Sequence, residues 1–304
     1  MSGERHPGRG AVPAVASDGM AGPSQDVVLP QRAGPVRRTR LRYGSGAPGI
    51  ERLEATLHGE SFATHTHDTY GIGITLSGVQ TFGYRGDRRV GLPGEGHVLH
   101  PDEPHDGTPG TEAGFGYRIV HLSPALVQQA LGGQPLPFVG DPIVPPGRLP
   151  AALADWVRRM DEPLSEVEAV ELTVTLTDLL RGLASSRRPR RRPLPVDRLA
   201  RVRDLIADDP TVAHGAATLE TVSGLDRWSV ARHFRAAFGT SPTRYRTMRQ
   251  VERARALIAG GAPLSEAAAR AGFADQSHLT RTFTRTYGLP PGRWAAAAAC
   301  SAAA

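Results

Sequence analysis

Two stretches in the last third of the chain, Ala216–Gly239 and Leu264–Gly288, repeat one pattern. In each, a short apolar segment ends at a glycine (Gly224, Gly272), an apolar residue follows, and an aspartate (Asp226, Asp275) stands where a helix can be N-capped. A longer segment then places apolar residues at helical spacing: Trp228, Val230, Phe234 and Phe238 in the first copy, Leu279, Phe283 and Tyr287 in the second. Glycine tolerates the left-handed backbone that ends a helix, and an aspartate carboxylate accepts hydrogen bonds from the free amides of the next one. Helix, glycine turn, helix predicts a helix-turn-helix unit, whose second helix enters the major groove of DNA. Two units in tandem restrict this third of the chain to an all-α fold and make double-stranded DNA the expected partner.

Charge points the same way. All 36 basic residues of the 304-residue chain are arginine. With Ala, Gly and Pro abundant, that choice reads as G+C-biased codon usage; the placement of the arginines says more. Residues 197–304 carry 15 arginines against 9 acidic side chains, residues 184–196 carry 5 arginines and no acid, and residues 41–183 carry 10 arginines against 18 acids. A basic end joined to an acidic middle predicts that the end meets a polyanion and the middle does something else. The length allows two domains, each with its own core. No stretch is apolar over the roughly eighteen residues a membrane span needs, and no apolar core of an export signal is found near Met1. The lone Cys300 lies in an alanine-rich tail and can close no internal disulfide. A cytoplasmic protein is expected, with no membrane partner.

Residues 1–40 are rich in Gly, Pro, Ala and Arg without periodicity and read as a disordered tail. From 41 to about 123, short alternating segments are punctuated by glycine, among them Glu54–His58, Ile72–Leu76, Thr81–Arg85, His97–His100 and Tyr117–His121. Such spacing predicts an antiparallel barrel or sandwich. Helices are expected over 124–131, about 148–160, and 164–183. In the last, Val167, Val170, Val174, Leu176, Leu179, Leu180 and Leu183 form a broad apolar stripe, which suits either an antiparallel seam with a second copy or packing on the chain's own barrel. Residues 184–196, with 3 prolines and 5 arginines, read as a linker. The pattern is helical over 197–294, and 295–304 read as an alanine-rich tail. Residues 41–183 thus form one domain and 197–294 another. The fold class is α+β: an N-terminal antiparallel β-barrel followed by helices, then an all-α domain with two helix-turn-helix units joined by a long helix.

Several motifs strengthen this division. Ala231–Arg235, Phe238–Tyr245, Arg249–Ala254, Ala271–Phe283 and Tyr287–Trp294 together resemble the DNA-binding domain of AraC/XylS-type transcriptional regulators over nearly all of 197–294, and the second copy fits best. Independently of the resemblance, Ser241–Pro242 is a helix-start signal. Tyr245, Met248, Val251, Ala254, Leu257 and Ile258 then make the buried face of a connecting helix. Such a helix holds two recognition helices about 34 Å apart, one duplex turn. The resemblance implies that Arg227, Trp228, Ala231, Arg232 and Arg235 of the first unit face DNA. In the second unit it implies Gln276, Ser277, His278, Thr280, Arg281 and Arg285. Arg232 and Arg281 hold matching positions and suit guanine, each contact worth roughly 1–3 kcal/mol of discrimination, whereas a phosphate contact is the alternative for either. Gln276 suits adenine, and Trp228 a thymine methyl or a sugar. Phe234, Phe238, Leu279 and Phe283 are expected in the core. One position departs from the family: the first unit carries Glu220 where alanine is usual, as Ala268 is in the second. Either Glu220 pairs with a neighbouring arginine or the first unit is skewed.

Phe62–Gly71, Gly94–Pro101 and His105 resemble, more loosely, the cupin-like N-terminal domain attached to many of these regulators. On a strand His65 and His67 point to one face, as a barrel needs in order to aim two imidazoles at one ligand. The resemblance implies a small organic effector inside the barrel, handled by His65, His67, Tyr70, His105 and Tyr84 or His121, with no cofactor. Metal-binding cupins add a carboxylate a few residues on, where this chain has Gly71 and Ile72. Three imidazoles can still hold zinc or iron, so a metal-dependent cupin enzyme fused to a DNA-binding domain is the alternative to a regulator. The acidic loop Asp102, Glu103 and Asp106 suits a cationic ligand or a solvated turn. As a regulator the chain is expected to lack enzymatic activity, and family habit favours activation through contact with RNA polymerase over repression. A DNA-repair protein on the same scaffold would need an activated cysteine, and Cys300 does not serve.

Overall fold

The computed structural model describes residues 39–184 and 193–302, with side chains to residue 298. Residues 1–38 of the expected tail, the five arginines of the linker and the Cys300 side chain lie outside the described residues. Strands come first along the chain: β1 (Arg40–Ala47), β2 (Ile50–Leu57), β3 (Phe62–His65), β4 (Tyr70–Gly78), β5 (Gln80–Tyr84), β6 (Asp87–Gly91), β7 (Gly96–Leu99), β8 (His105–Pro109) and β9 (Phe115–Leu122). After helix α1 (Pro124–Leu131) and the two-residue strand β10 (Ile143–Val144) come α2 (Ala151–Arg158) and α3 (Glu166–Leu183). The strands pair antiparallel into two sheets, one ordered β1-β2-β9-β4-β7-β10 and the other β3-β8-β5-β6.

Alternation along β4 decides what each side of the larger sheet can hold. Tyr70, Ile72 and Ile74 pack with Val98, Val120, Leu122 and the buried leucines of α3 on the helix-covered side. Gly71, Gly73 and Thr75 point the other way, into the barrel. A side chain on Gly73 would place its Cβ 2.5 Å from the His97 ring, so the glycine is what admits that imidazole. Leu172, Leu176, Leu179 and Leu180 settle part of the α3 stripe on the chain's own sheet, whereas Val167, Val170 and Val174 stay exposed at 67%, 58% and 46%.

Arg52 ties the barrel to its first helices. It is 1% exposed and pairs with no carboxylate among the described residues; its Nε donates to Ser45 O (2.7 Å) and its terminal nitrogens donate to the carbonyls of Trp156, Arg159 and Glu162. These carbonyls end α2, where a cation also suits the helix dipole.

The remaining helices are α4 (Val196–Asp208), α5 (Ala216–Ser223), α6 (Arg227–Phe238), α7 (Pro242–Ala259), α8 (Leu264–Arg270), α9 (Gln276–Tyr287) and α10 (Pro291–Ala302). α5 stops at Gly224, whose φ of 62° is the left-handed value a Cβ disfavours, and Asp226 then accepts from the amides of Trp228 and Ser229. Asp275 accepts from the His278 amide to start α9, and Ser241 with Pro242 starts α7. Phe234 and Phe238 pack with α4, and Leu279 and Phe283 with α7, α8 and α10. α10 runs through the alanine-rich segment to Ala302, where a featureless tail was expected; Trp294 and Ala297 are buried on it, which gives the segment a core-facing side. None of the described helices is long and apolar enough to cross a membrane.

Candidate effector cavity and DNA interface

The barrel and the helical domain meet face to face. The amides of Ala63 and Thr66, at β3, donate to the carbonyls of Gly288 (2.9 Å) and Arg285 (2.8 Å) at the end of α9. Among the described residues four ion pairs cross the junction: Arg249–Asp68 (2.5 Å), Arg255–Glu51 (2.5 Å), Arg244–Asp102 (2.6 Å) and Arg293–Glu60. The Trp294 indole N–H donates to the Tyr43 hydroxyl at 2.8 Å. Asp102, Glu103 and Asp106 are all engaged by arginines, namely Arg244, Arg85 and Arg88, so the acidic loop is not free for a cationic ligand.

Between the two domains lies a cavity of about 650 Å³. Its barrel wall includes Leu53, Phe82, Ile119 and the imidazoles of His65, His67, His97, His105 and His121. Its other wall is Tyr245, Met248, Arg249, Glu252 and Arg255 of α7, Thr286 and Tyr287 of α9, and Trp294. Strand register gathers the rings. His65 is the cross-strand partner of His105, Gly71 that of His121, and Gly73 that of His97. Ring centroids lie 4.2 Å apart for His65 and His105, and 4.8 Å apart for His67 with each of His105 and His121. Burial holds His65 and His121 down at about 3 and His97 at about 4, and pushes His67 and His105 well below the usual imidazole value. His97 and His105 are sealed from bulk solvent, at 2% and 4% exposure, but line the cavity together with the other three, which are half-buried. Burial also raises the Glu252 carboxyl, to about 7, against the pull of Arg249.

Of the expected effector handles, the cavity holds His65, His67 and His105, and His121 with them. Tyr70 and Tyr84 are elsewhere. Tyr70 points to the helix-covered side, where its hydroxyl donates to Pro137 O at 2.8 Å. Tyr84 is bound to His100, 2.7 Å from its Nδ1, and His100 Nε2 accepts from the Val139 amide. His97, which carried no expectation, joins the site; the signal for it was the glycine opposite it on β4. Asp68, between β3 and β4, also lines the cavity. Gly71 lies against the His67 ring and brings no carboxylate to it. Among the described residues no group of three or more His, Cys, Asp or Glu side chains is arranged to hold a metal ion.

On the DNA side, Arg227, Trp228, Ala231, Arg232, Arg235, Gln276, Ser277, His278, Arg281 and Arg285 are exposed, and Thr280 is half-buried with its hydroxyl donating to Gln276 O. Trp228 is 74% exposed, at odds with a purely structural role. Glu220 does pair with an arginine. Its carboxylate accepts from the Arg227 amide (2.8 Å) and from the Arg227 guanidinium (3.1 and 3.2 Å), which holds that carboxyl below its ordinary range. Arg227 is therefore turned back onto α5, whereas Arg281 and Arg285 carry no ion pair among the described residues.

A family model described as an AraC-like ligand binding domain matches residues 47–180, and one described as a helix-turn-helix domain matches 219–297. An HTH-type transcriptional regulator of Bacillus subtilis, YbfI, is 23% identical over 225 residues, which is 72% of this chain and 82% of the relative. An AraC-like transcription regulator of Streptomyces antibioticus is 34% identical over 85 residues, 28% of each chain. ToxT from Vibrio cholerae has the same fold, with a TM-score of 0.58 at 11% identity over 82% of this chain and 99% of its own. ToxT with an unsaturated fatty acid bound superposes with a TM-score of 0.60 at 12% identity, over 83% and 96%.

Proposed function

The chain belongs to the AraC-type transcriptional regulators, and on that premise we propose that its two recognition helices read a specific DNA site under the control of a small organic effector held in the cavity between the domains. The observation that carries the effector half is the shared wall: His65, His67 and His105 come from the barrel, and Arg249, Arg255 and Tyr287 from the helices that position α9. A ligand touching both walls binds one arrangement of the domains better than another, and that difference is what shifts DNA occupancy. The volume falls within the range of small-molecule sites. Occupancy of ToxT by a fatty acid supports a ligand role for this fold in the present chain.

In this reading the protein activates transcription by contact with RNA polymerase from its DNA-bound position. Val167, Val170 and Val174 form the exposed half of an α3 whose other half is already covered, and a second copy of the chain is the partner we assign to them. The metal-dependent enzyme draws no support from a site in which Gly71 replaces the carboxylate.

Selection of bound duplexes from a random library by the full-length protein tests the DNA half. The expected result is a motif with two half-sites about 10–10.5 base pairs apart, centre to centre. Arg281→Ala is expected to relax one base position at a cost of roughly 1–3 kcal/mol. Equal relative affinity of that variant for every motif sequence would remove Arg281 from base reading.

A further inference from the structure

The cavity's hydrogen-bonding polarity is set by the backbone. His65 Nδ1 lies 2.8 Å from Ala63 O, His67 Nδ1 lies 2.8 Å from Thr69 O, and His105 Nδ1 lies 2.9 Å from Glu103 O. A carbonyl oxygen can only accept, so each Nδ1 carries the proton, and in a neutral ring Nε2 is then an acceptor. Burial keeps all three rings neutral. His67 Nε2 is buried with no partner among the described residues, an acceptor without a donor. His97 has neither nitrogen partnered and offers one acceptor and one donor.

The cations on the opposite wall are already committed. Arg249 is paired through its two terminal nitrogens with Asp68 and Glu252, its Nε alone being left without a partner among the described residues, and Arg255 is paired with both oxygens of Glu51 while stacked between Tyr43 and Tyr287. Arg203, the other lining cation among the described residues, is turned onto Asp204 and the Phe238 ring. A carboxylate ligand would thus find three accepting imidazoles, guanidinium charges already matched by Asp68, Glu252 and Glu51, and a single unpartnered N–H, Arg249 Nε. The aromatic rings of Phe62, Phe82 and Tyr117 complete the apolar part of the wall.

We propose that the effector is an uncharged molecule that donates hydrogen bonds, through hydroxyl or N–H groups, to the Nε2 atoms of His65, His67 and His105. The proposal rests on the effector reading above and narrows it: the carboxylic acids that occupy ToxT differ in kind from the ligand this cavity selects. A site whose buried polar groups expect a donor discriminates strongly against an analogue lacking one, because its acceptors are then left dry.

The test uses the full-length protein with histidine labelled in ¹⁵N and four small probes: phenol and indole as O–H and N–H donors, benzoate as the carboxylate, and anisole as the uncharged analogue without a donor. The three rings are expected as Nδ1–H tautomers, and at least one donor is expected to move their Nε2 signals with about tenfold tighter binding than benzoate or anisole. Whichever donor dominates identifies hydroxyl or N–H as the group. His67→Phe is expected to abolish that advantage while leaving anisole unchanged, and His105→Phe serves if the first variant fails to fold. Benzoate or anisole binding as tightly as both donors, or rings found as Nε2–H tautomers, overturns the donor proposal and leaves an effector cavity standing. If none of the four probes enters, the effector reading falls with it.

Discussion

Acid is expected to unfold this protein well before its carboxylates titrate. Its buried imidazoles are held neutral in the folded state, with His97 at about 4 and His105 pushed well below its usual value, while in the unfolded chain each takes up a proton near 6.5. The folded values are lowered, so the unfolded state binds more protons below pH 6.5. Stability is therefore intact above 6.5 and falls as pH falls toward the folded values. Each sealed ring costs about 1.4 kcal/mol per pH unit in that window, or about 3 kcal/mol per unit for His97 and His105 together. His65, His67 and His121 are half-buried and add to this with less force. Glu252 works against them: held at about 7, it favours the folded state as pH falls from 7 toward 4.5 and offsets about one ring. The net expectation is a urea midpoint that drops steeply between pH 6.5 and 5. In His97→Phe the drop should be shallower by one ring's share. A midpoint constant from pH 7.5 to 5.5 would mean that water reaches these imidazoles in the folded state.

Arg52→Leu is expected to cost about 3–5 kcal/mol, as for a broken buried charge network. The loss is not of a salt bridge. Leucine fills most of the space, but the carbonyls of Ser45, Trp156, Arg159 and Glu162 lose the guanidinium at once, Arg159 O keeping only a longer bond from the Glu162 amide (3.3 Å). Burial already lowers the Arg52 guanidinium's affinity for its proton, which the four carbonyls and the end of α2 outweigh. Arg52→Lys is expected to recover only part of the loss, since one ammonium cannot reproduce a planar fork. Denaturant midpoints of the two variants check this; a wild-type midpoint for Arg52→Leu would show that water reaches these carbonyls.

How far such features were legible in the residues depends on the range of the interaction. Gly224, Asp226, Asp275 and Ser241 announce helix ends through contacts within four residues, and Phe234 and Phe283 follow a single helical period, so the tandem units could be placed from the text alone. Glu220 stood out as a departure, and its partner Arg227 lies one turn away. In the barrel, His65 and His67 share a face because they lie two residues apart. That parity cannot be carried to Tyr70, since the chain leaves β3 and enters β4 between them. Tyr84 fails for another reason: its partner His100 directly follows β7, a strand of the opposite sheet. His97 and His121 owe their places to bare glycines on a neighbouring strand, a cross-strand fact that no local window contains. Arg52 reaches carbonyls more than a hundred residues away.

The proposed control of DNA binding rests on the wall shared by His65, His67, Arg255 and Tyr287, and a filled cavity tests it without knowledge of the natural ligand. Ile119 lines the cavity at 3% exposure, and Ile119→Trp places an indole in the space an effector would take. Affinity of the full-length variant for the selected DNA site, measured alongside a melting curve and the milder Ile119→Phe, is expected to differ from wild type by at least about fivefold. Unchanged DNA affinity in a folded Ile119→Trp would contradict control of the recognition helices from this cavity.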